Sequence, residues 1–205
     1  MKRLSFVWGP ILALLVGGCA CTDSRQPKAG EKNNKGSTQN SQIALAGEEK
    51  DQREVTQAVV RVRPIEGEKV QGTVIFTKVP EGIAVIADIE GLTPGKHGFH
   101  VHEFGDCSGH QGLAAGGHFN PTNEKHGGPD SPVRHVGDLG NLVADENGVA
   151  HYERIDKQIA FEGQNSILGR SIVIHADPDD YETQPTGNSG ARIACGVIEI
   201  MNGAK

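Results

Sequence analysis

Six of the nine histidines in this chain stand in short, mostly glycine-containing segments, and one aspartate stands with them. The segments are GFHVHEFGDC at 98–107, GGHFNP at 116–121, KHGGP at 125–129, RHVGDLGN at 134–141 and IVIHA at 172–176. Imidazole is the usual protein ligand for zinc and copper, and it fills an apolar core poorly. This concentration of histidines therefore predicts a metal-binding function, and no other feature of the sequence constrains function as tightly.

The first group of candidate ligands lies on predicted strands. His100 and His102 are two residues apart, so their side chains point to the same face of a strand and can grip one ion. His175 follows on a separate short strand and can supply a third ligand. Copper(II) prefers a tetragonal set of nitrogens, which these strand histidines provide together with His118.

The second group lies in a glycine-rich loop and contains His118, His126, His135 and Asp138. Three imidazoles and a carboxylate make a closed tetrahedral set, which is typical of structural zinc. An imidazolate can bind one metal through each ring nitrogen. Because His118 stands between the two groups in sequence, it is the candidate for a bridging ligand.

The remaining histidines lack this context. His97, His110 and His151 each stand alone, and a lone histidine is most often a surface or hydrogen-bonded group. We therefore assign them no ligand role.

The strand pattern predicts an all-β domain. β-branched runs, several with period-two alternation, are separated by turn-forming segments and occur at 55–63, 70–79, 83–90, 96–104, 142–152, 172–175 and 192–201, with a further short candidate at 158–161. In the last run, Ile193, Cys195, Val197 and Glu199 share one face. Strands at this spacing favour a sandwich or a Greek-key barrel.

Two long stretches, 105–137 and 177–191, lack the strand pattern. Loops of this length in a compact domain are usually functional or disordered. The first stretch carries three candidate ligands and a cysteine, which predicts an ordered loop held by metal and by a disulfide. The residues of the second stretch do not indicate whether it is functional or disordered.

The first 53 residues predict export and a tether. A basic start, a mostly apolar run at 4–16 and small residues before Cys19 form the pattern of a secretory signal at 1–21. VGGC at 16–19 resembles a bacterial lipobox in which Cys19 becomes acylated; a plain signal cleaved near Cys21 is the alternative. Polar residues dominate 22–53, which predicts a disordered tether, so the folded domain is expected at 54–205. We expect an exported protein of the cell envelope, either periplasmic or a membrane-anchored lipoprotein.

The cysteine content and the net charge further narrow the possible kinds of protein and of binding partner. In an exported protein, the two domain cysteines, Cys107 and Cys195, predict one disulfide, with two buried free thiols as the alternative. The formal net charge of −6 argues against general affinity for nucleic acid or for anionic membranes. An anionic substrate therefore requires local positive charge.

The motifs resemble those of the copper–zinc superoxide dismutase family. The histidine segments already quoted and GNSGARIACGVIEI at 187–200 are similar to its motifs, and the resemblance covers about residues 55–200. It implies an eight-stranded Greek-key β-barrel with two long functional loops and one disulfide. It also implies copper and zinc joined by a bridging histidine, and dismutation of superoxide by copper redox cycling.

The resemblance assigns roles by motif. It implies copper ligands His100, His102, His118 and His175, and zinc ligands His118, His126, His135 and Asp138. It further implies a Cys107–Cys195 disulfide, Arg192 as the group that holds the substrate anion, Thr186 as the opposite channel wall, and Asp179 as a carboxylate hydrogen-bonded to ligands of both metals. Whether the chain forms a homodimer stays open, because the family varies in dimer geometry.

Some segments depart from the animal enzymes. The stretch 108–115 is closer to bacterial forms, and the loop 177–191 is short and acidic, with few lysines. Guidance of the substrate anion is therefore expected to be weaker or to come from other basic residues, such as Lys125 or Arg134. The alternatives to the enzyme are a copper-buffering envelope protein, a zinc hydrolase and an adhesion domain.

Overall fold

The structure, a computed structural model, describes residues 54–201. The predicted export signal, lipobox and tether lie outside the described residues. The described chain forms eight strands, which are β1 Gln57–Pro64, β2 Gln71–Val79, β3 Gly82–Glu90, β4 Gly95–His102, β5 Asp138–Ala144, β6 Ala150–Asp156, β7 Ser171–His175 and β8 Arg192–Ile200. A short 3₁₀ segment, His110–Ala115, lies in the loop after β4. None of the described helical residues forms a helix long and apolar enough to cross a bilayer.

All neighbouring strands pair antiparallel in the order β5-β4-β7-β8-β1-β2-β3-β6. The two end strands of this order, β5 and β6, are joined by a hairpin and by a hydrogen bond from the Tyr152 hydroxyl to the Leu139 carbonyl at 2.8 Å. The sheet thus curls into a nearly closed barrel. This architecture confirms the predicted all-β Greek-key fold.

The barrel interior is filled by alternate residues of the strands. In β3 the buried and more exposed positions alternate along most of the strand, which is the period-two pattern of a sheet with one face on the core. The largest fully buried apolar side chains include Phe76, Phe99, Leu142 and Ile174. Each such burial contributes roughly 1.5–3 kcal/mol relative to exposure, and together they fix the strands that carry the histidines.

Two strand predictions were wrong in detail. The run 142–152 is two strands, because the turn at 145–149 separates them: Asp145 Oδ1 accepts hydrogen bonds from the N–H groups of Asn147 and Val149, both at 2.9 Å. Residues 158–161 form no strand. Asp156 Oδ1 accepts hydrogen bonds from the N–H groups of Gln158 and Ile159, which turns the chain away from the sheet.

Strand β8 is covered on both faces. Ala194 and Ile198 belong to the barrel core, whereas Cys195 on the other face packs with Val173 and Ala115 beneath the long loop. Cys195 is joined to Cys107 by a disulfide that spans 88 positions of sequence. The bond therefore anchors the loop before the 3₁₀ segment to the outside of the barrel.

Removing the disulfide should destabilise the protein. For a closed loop of this length, the chain-entropy model gives about 4.6 kcal/mol, and strain or residual structure in the unfolded chain reduces that value. We expect the metal-free double variant Cys107→Ala, Cys195→Ala to unfold at a clearly lower urea concentration than the metal-free wild type. Equal midpoints would contradict an anchoring role for the bond.

Candidate metal centre

The candidate ligands are positioned by three strands and two loops. His100 and His102 lie on β4, His175 ends β7, and Asp138 begins β5 directly opposite His100 in the strand register. Strand β4 lies between β5 and β7, so the pairing brings these residues together although they are far apart in sequence. The predicted grouping of the strand histidines on one face agrees with this placement.

His118 is held against β4 by backbone hydrogen bonds of its neighbours. It forms an isolated antiparallel bridge with His102. The Phe119 N–H donates to the Val101 carbonyl at 2.8 Å, and the Glu103 N–H donates to the Gly117 carbonyl at 2.9 Å. The glycine-rich loop is therefore pinned to the barrel at its central histidine.

Two sets of four buried side chains form at this position, and each set has its donor atoms within 4.8 Å of one another. The first set is His100, His102, His118 and His175, and the second is His118, His126, His135 and Asp138. His118 belongs to both. Its Nδ1 lies 2.8 Å from Asp138 Oδ1, and its ring centroid lies 4.0 Å from that of His100.

Asp179 connects the two sets. Its Oδ2 lies 2.8 Å from His100 Nε2, and its Oδ1 lies 2.8 Å from His126 Nε2. The carboxylate is buried, so its charge is balanced locally by these imidazoles rather than by water. The sequence prediction placed Asp179 in this role, and the loop 177–191 brings it there.

The orientation of the rings tests whether metal ions fit. His102 Nδ1 contacts the Gly116 carbonyl at 3.0 Å, and His175 Nδ1 contacts the Gly190 carbonyl at 3.3 Å, which leaves the two Nε2 atoms facing each other at 3.3 Å. His100 Nδ1 and His118 Nε2 are buried without any hydrogen-bond partner. Buried nitrogens normally have a partner, so these free lone pairs in a common space fit a metal ion.

The second set passes the same test. His126 Nδ1 lies 3.0 Å from Asp138 Oδ2, but in a direction that does not satisfy a hydrogen bond. His135 Nδ1 lies 3.2 Å from Asp138 Oδ1. Three imidazole nitrogens and one carboxylate meet here, which is the donor chemistry of a closed zinc site.

Burial sets the charge of the imidazoles. It lowers the pKa of His118 to about 3, with a further contribution from His100, and holds the pKa values of His102 and His175 well below the usual range. For His126, burial opposes the charged form, but hydrogen bonds to Asp138 and Asp179 raise the pKa to about 9. The lowered pKa values keep the rings of His102, His118 and His175 neutral, so their lone pairs are available to a metal ion.

Arg192 lies at the edge of the first set. Its guanidinium donates to the Gly112 carbonyl at 2.7 Å and to the Gly116 carbonyl at 2.5 Å. Gly112 has φ 64°, in the left-handed region that glycine adopts readily. In this backbone conformation the loop presents the Gly112 carbonyl to Arg192. Thr186 is partly buried and accepts a hydrogen bond from Ser189 through its carbonyl. Its place opposite Arg192 remains a prediction.

One predicted source of substrate guidance was wrong. Arg134 is 3 % exposed, forms an ion pair with Asp156 and donates to the carbonyls of His135, Val136 and Asp138. Its charge is neutralised inside the protein, so it supports the loop and cannot attract an anion from solvent. Lys125 is exposed, and its guiding role remains a prediction.

Sequence reasoning missed several contacts of the centre. His97 is buried, with Nδ1 at 2.9 Å from the His175 carbonyl and Nε2 at 2.8 Å from the Thr93 carbonyl. Asn141 contacts the backbone of Asp179 on both its N–H and its carbonyl. Asn141 stands within RHVGDLGN, so the motif signalled it, whereas nothing local marked the role of His97.

The geometry of the two sets agrees with the family that the sequence matches. A sequence profile described as Copper/zinc superoxide dismutase matches residues 70–198. The chain belongs to the copper/zinc superoxide dismutase family. It is an oxidoreductase that dismutates superoxide, and its cofactors are copper and zinc.

Individual relatives support this membership. An extracellular Cu-Zn superoxide dismutase of Brugia pahangi is 44% identical over 71% of this chain and 77% of its own length. A Cu-Zn superoxide dismutase of Onchocerca volvulus is 46% identical over 66% of this chain and 92% of its own. A crystal structure described as the clock protein EA4 has a TM-score of 0.67 and 43% identity, and the match covers 73% of this chain and 98% of that one. The resemblance found in the sequence is therefore confirmed, although these two named dismutases come from nematodes.

Zinc binding to the metal-free protein should release a proton from His126. With its pKa raised to about 9, this imidazole is protonated at neutral pH, and a ligating Nδ1 must lose that proton. Calorimetric titration with zinc at about pH 7.5 in buffers of different ionisation enthalpy should give about one proton per ion, decreasing as the pH passes about 9. In Asp179→Asn the His126 pKa falls, so fewer protons should be released. If the binding enthalpy of zinc to the wild type is the same in every buffer, no proton is released, which would contradict a protonated His126.

Proposed function

We propose that the first set, His100, His102, His118 and His175, holds copper, and that the second set, His118, His126, His135 and Asp138, holds zinc. The observation that carries the assignment is the His118 ring, whose Nδ1 faces Asp138 while its buried Nε2 faces the other histidines without a partner. Four nitrogens suit copper(II), and three nitrogens with a carboxylate suit zinc.

When bound, copper supplies one-electron exchange with superoxide, and zinc supplies a fixed positive charge beside the shared ring. The chain contributes the proton chemistry. His118 Nε2 can take up a proton in one half of the cycle and give it to the reduced product in the other. Asp138 keeps the loop around this ring in place during the exchange, because its Oδ2 accepts hydrogen bonds from the backbone N–H groups of Gly127 and His135.

Arg192 binds the substrate anion in this proposal. A guanidinium is charged at any ordinary pH and forms charge-assisted hydrogen bonds with small anions. Its bonds to Gly112 and Gly116 fix the group beside the first set before substrate arrives. Thr186 forms the other side of the channel, and Lys125 adds positive charge at the surface.

The site also argues for turnover rather than for metal storage or hydrolysis. A storage protein has no use for a guanidinium held at the copper set. A hydrolytic zinc keeps an open ligand position, whereas four protein donors close the second set. Asp179 ties the two sets into one unit, which suits joint action on a single substrate.

The proposed location is supported by the sequence of residues 1–21 and by the name of one relative. Residues 1–21 have the pattern of an export signal, and the Brugia pahangi relative is named as extracellular. We infer export to the cell envelope, with Cys19 acylated and 22–53 as the tether, and protection of the envelope from superoxide as the biological role. A homodimer is compatible with this arrangement and awaits measurement of the mass in solution.

The activity test uses the protein loaded with copper and zinc. We expect superoxide scavenging and a copper EPR signal, both lost on chelation. Arg192→Ile should lower the rate constant about tenfold or more, since a charge-assisted bond contributes about 1.5–3 kcal/mol, while the EPR signal persists. Lys69→Ile removes the same charge from an exposed turn and should change the rate little. Equal rates in Arg192→Ile and wild type would reject the anion role.

The anchor test uses the full chain in a bacterial host. The wild type should enter the detergent-rich phase and carry acyl mass on its first residue, because lipidation adds about 0.8 kcal/mol of membrane affinity per buried methylene. Cys19→Ala should stay in the aqueous phase, whereas Cys21→Ala should behave like the wild type. If Cys21→Ala loses the acyl mass and Cys19→Ala keeps it, the modified residue is Cys21, and the assignment to Cys19 is rejected.

A further inference from the structure

Gln184 binds both backbone groups of His126. The His126 N–H donates to Gln184 Oε1 at 2.8 Å, and Gln184 Nε2 donates to the His126 carbonyl at 2.9 Å. The two residues are 58 positions apart and belong to the two different long loops. One side-chain amide thus fixes the backbone of a candidate zinc ligand from across the site.

The same loop also holds the His126 side chain. Asp179 Oδ1 lies 2.8 Å from His126 Nε2, so loop 177–191 contacts this histidine at its ring and at its backbone. Gly187, with φ 64°, packs against this pair: an added Cβ would lie 1.9 Å from Asp179 Oδ1 and 2.6 Å from His126 Nε2. The loop therefore has no space for a side chain there and must lie close.

The other loop ligands are held differently. His118 is fixed because the residues on either side of it, Gly117 and Phe119, form backbone hydrogen bonds with the chain at β4. The His135 N–H donates to Asp138 Oδ2 at 2.9 Å. In the part of the chain that the structure describes, the N–H and carbonyl of His126 have no hydrogen-bond partner other than Gln184. His126 therefore depends on one residue of the opposite loop for its backbone position.

We propose that Gln184 is a positioning residue that sets how tightly zinc is retained, acting through His126. The proposal rests on the zinc assignment of the second set. Groups that orient a metal ligand change metal affinity about 10–100-fold when they are removed. The effect should fall on zinc alone, because within residues 54–201 the hydrogen bonds of the Gln184 side chain go to His126 of the second set and to Glu182 of its own loop.

The test compares Gln184→Met with Gln164→Met. Methionine keeps the length of the side chain and removes both hydrogen bonds to His126, together with the one to the Glu182 carbonyl. Gln164 donates a single bond to the Pro121 carbonyl of the same ligand-bearing loop, so it is a matched control. The measurements are zinc affinity by competition with a chromogenic chelator, copper affinity by the same method, and thermal unfolding of the metal-free proteins.

We expect Gln184→Met to bind zinc about tenfold or more weakly, with copper affinity and metal-free unfolding close to wild type, and Gln164→Met to be unchanged. Gln184→Glu keeps the acceptor for the His126 N–H but faces the carbonyl with a second oxygen, so it should also weaken zinc. Unchanged zinc affinity in Gln184→Met overturns the proposal, as does an equal loss of zinc, copper and metal-free stability. A wild type that binds no zinc instead rejects the zinc assignment and this proposal with it.

Discussion

Two buried carboxylates, Asp138 and Asp179, contact four of the six imidazoles of the centre. Asp138 contacts three rings of the second set, and Asp179 joins one ring from each set. The surrounding histidines hold both carboxyl pKa values well below the usual range, despite burial that raises them. Asp179 occupies Nε2 of His100 and Nε2 of His126, which leaves Nδ1 of both rings to face a candidate ion. The ligand sets therefore exist in the folded chain before any ion binds.

The barrel supplies the rigid part of this arrangement, and the loops supply the rest. Strand β4 between β5 and β7 fixes three histidines and one aspartate at positions that only a fully registered sheet brings together. The glycine-rich loop joins them at His118 by backbone bonds, and the disulfide fastens its first part to β8. The loop 177–191 closes the site from the other side. Rigid strands and fastened loops together limit the reorganisation that metal binding requires.

Much of the site was readable from sequence because its ligands stand in compact motifs. Alternation placed His100 and His102 on one face, and both loops were recognised by their missing strand pattern. Contacts that depend on distant pairs were not readable. Arg134 looked like a surface charge because its partner Asp156 is 22 residues away, and Gln184 bears no local sign of its contact with His126. Local patterns report which face a residue occupies, whereas long-range hydrogen bonds emerge only when the chain has folded.

The Gly116 carbonyl receives two donors, the guanidinium of Arg192 and the Nδ1 of His102. One peptide group thus fixes both the Arg192 guanidinium and the His102 ring of the first set. A shift of this peptide would displace both partners together, so small loop motions change the distance between the guanidinium and the His102 ring little. Both bonds are accepted by a backbone carbonyl, so a change of an exposed side chain elsewhere in the loop leaves them in place.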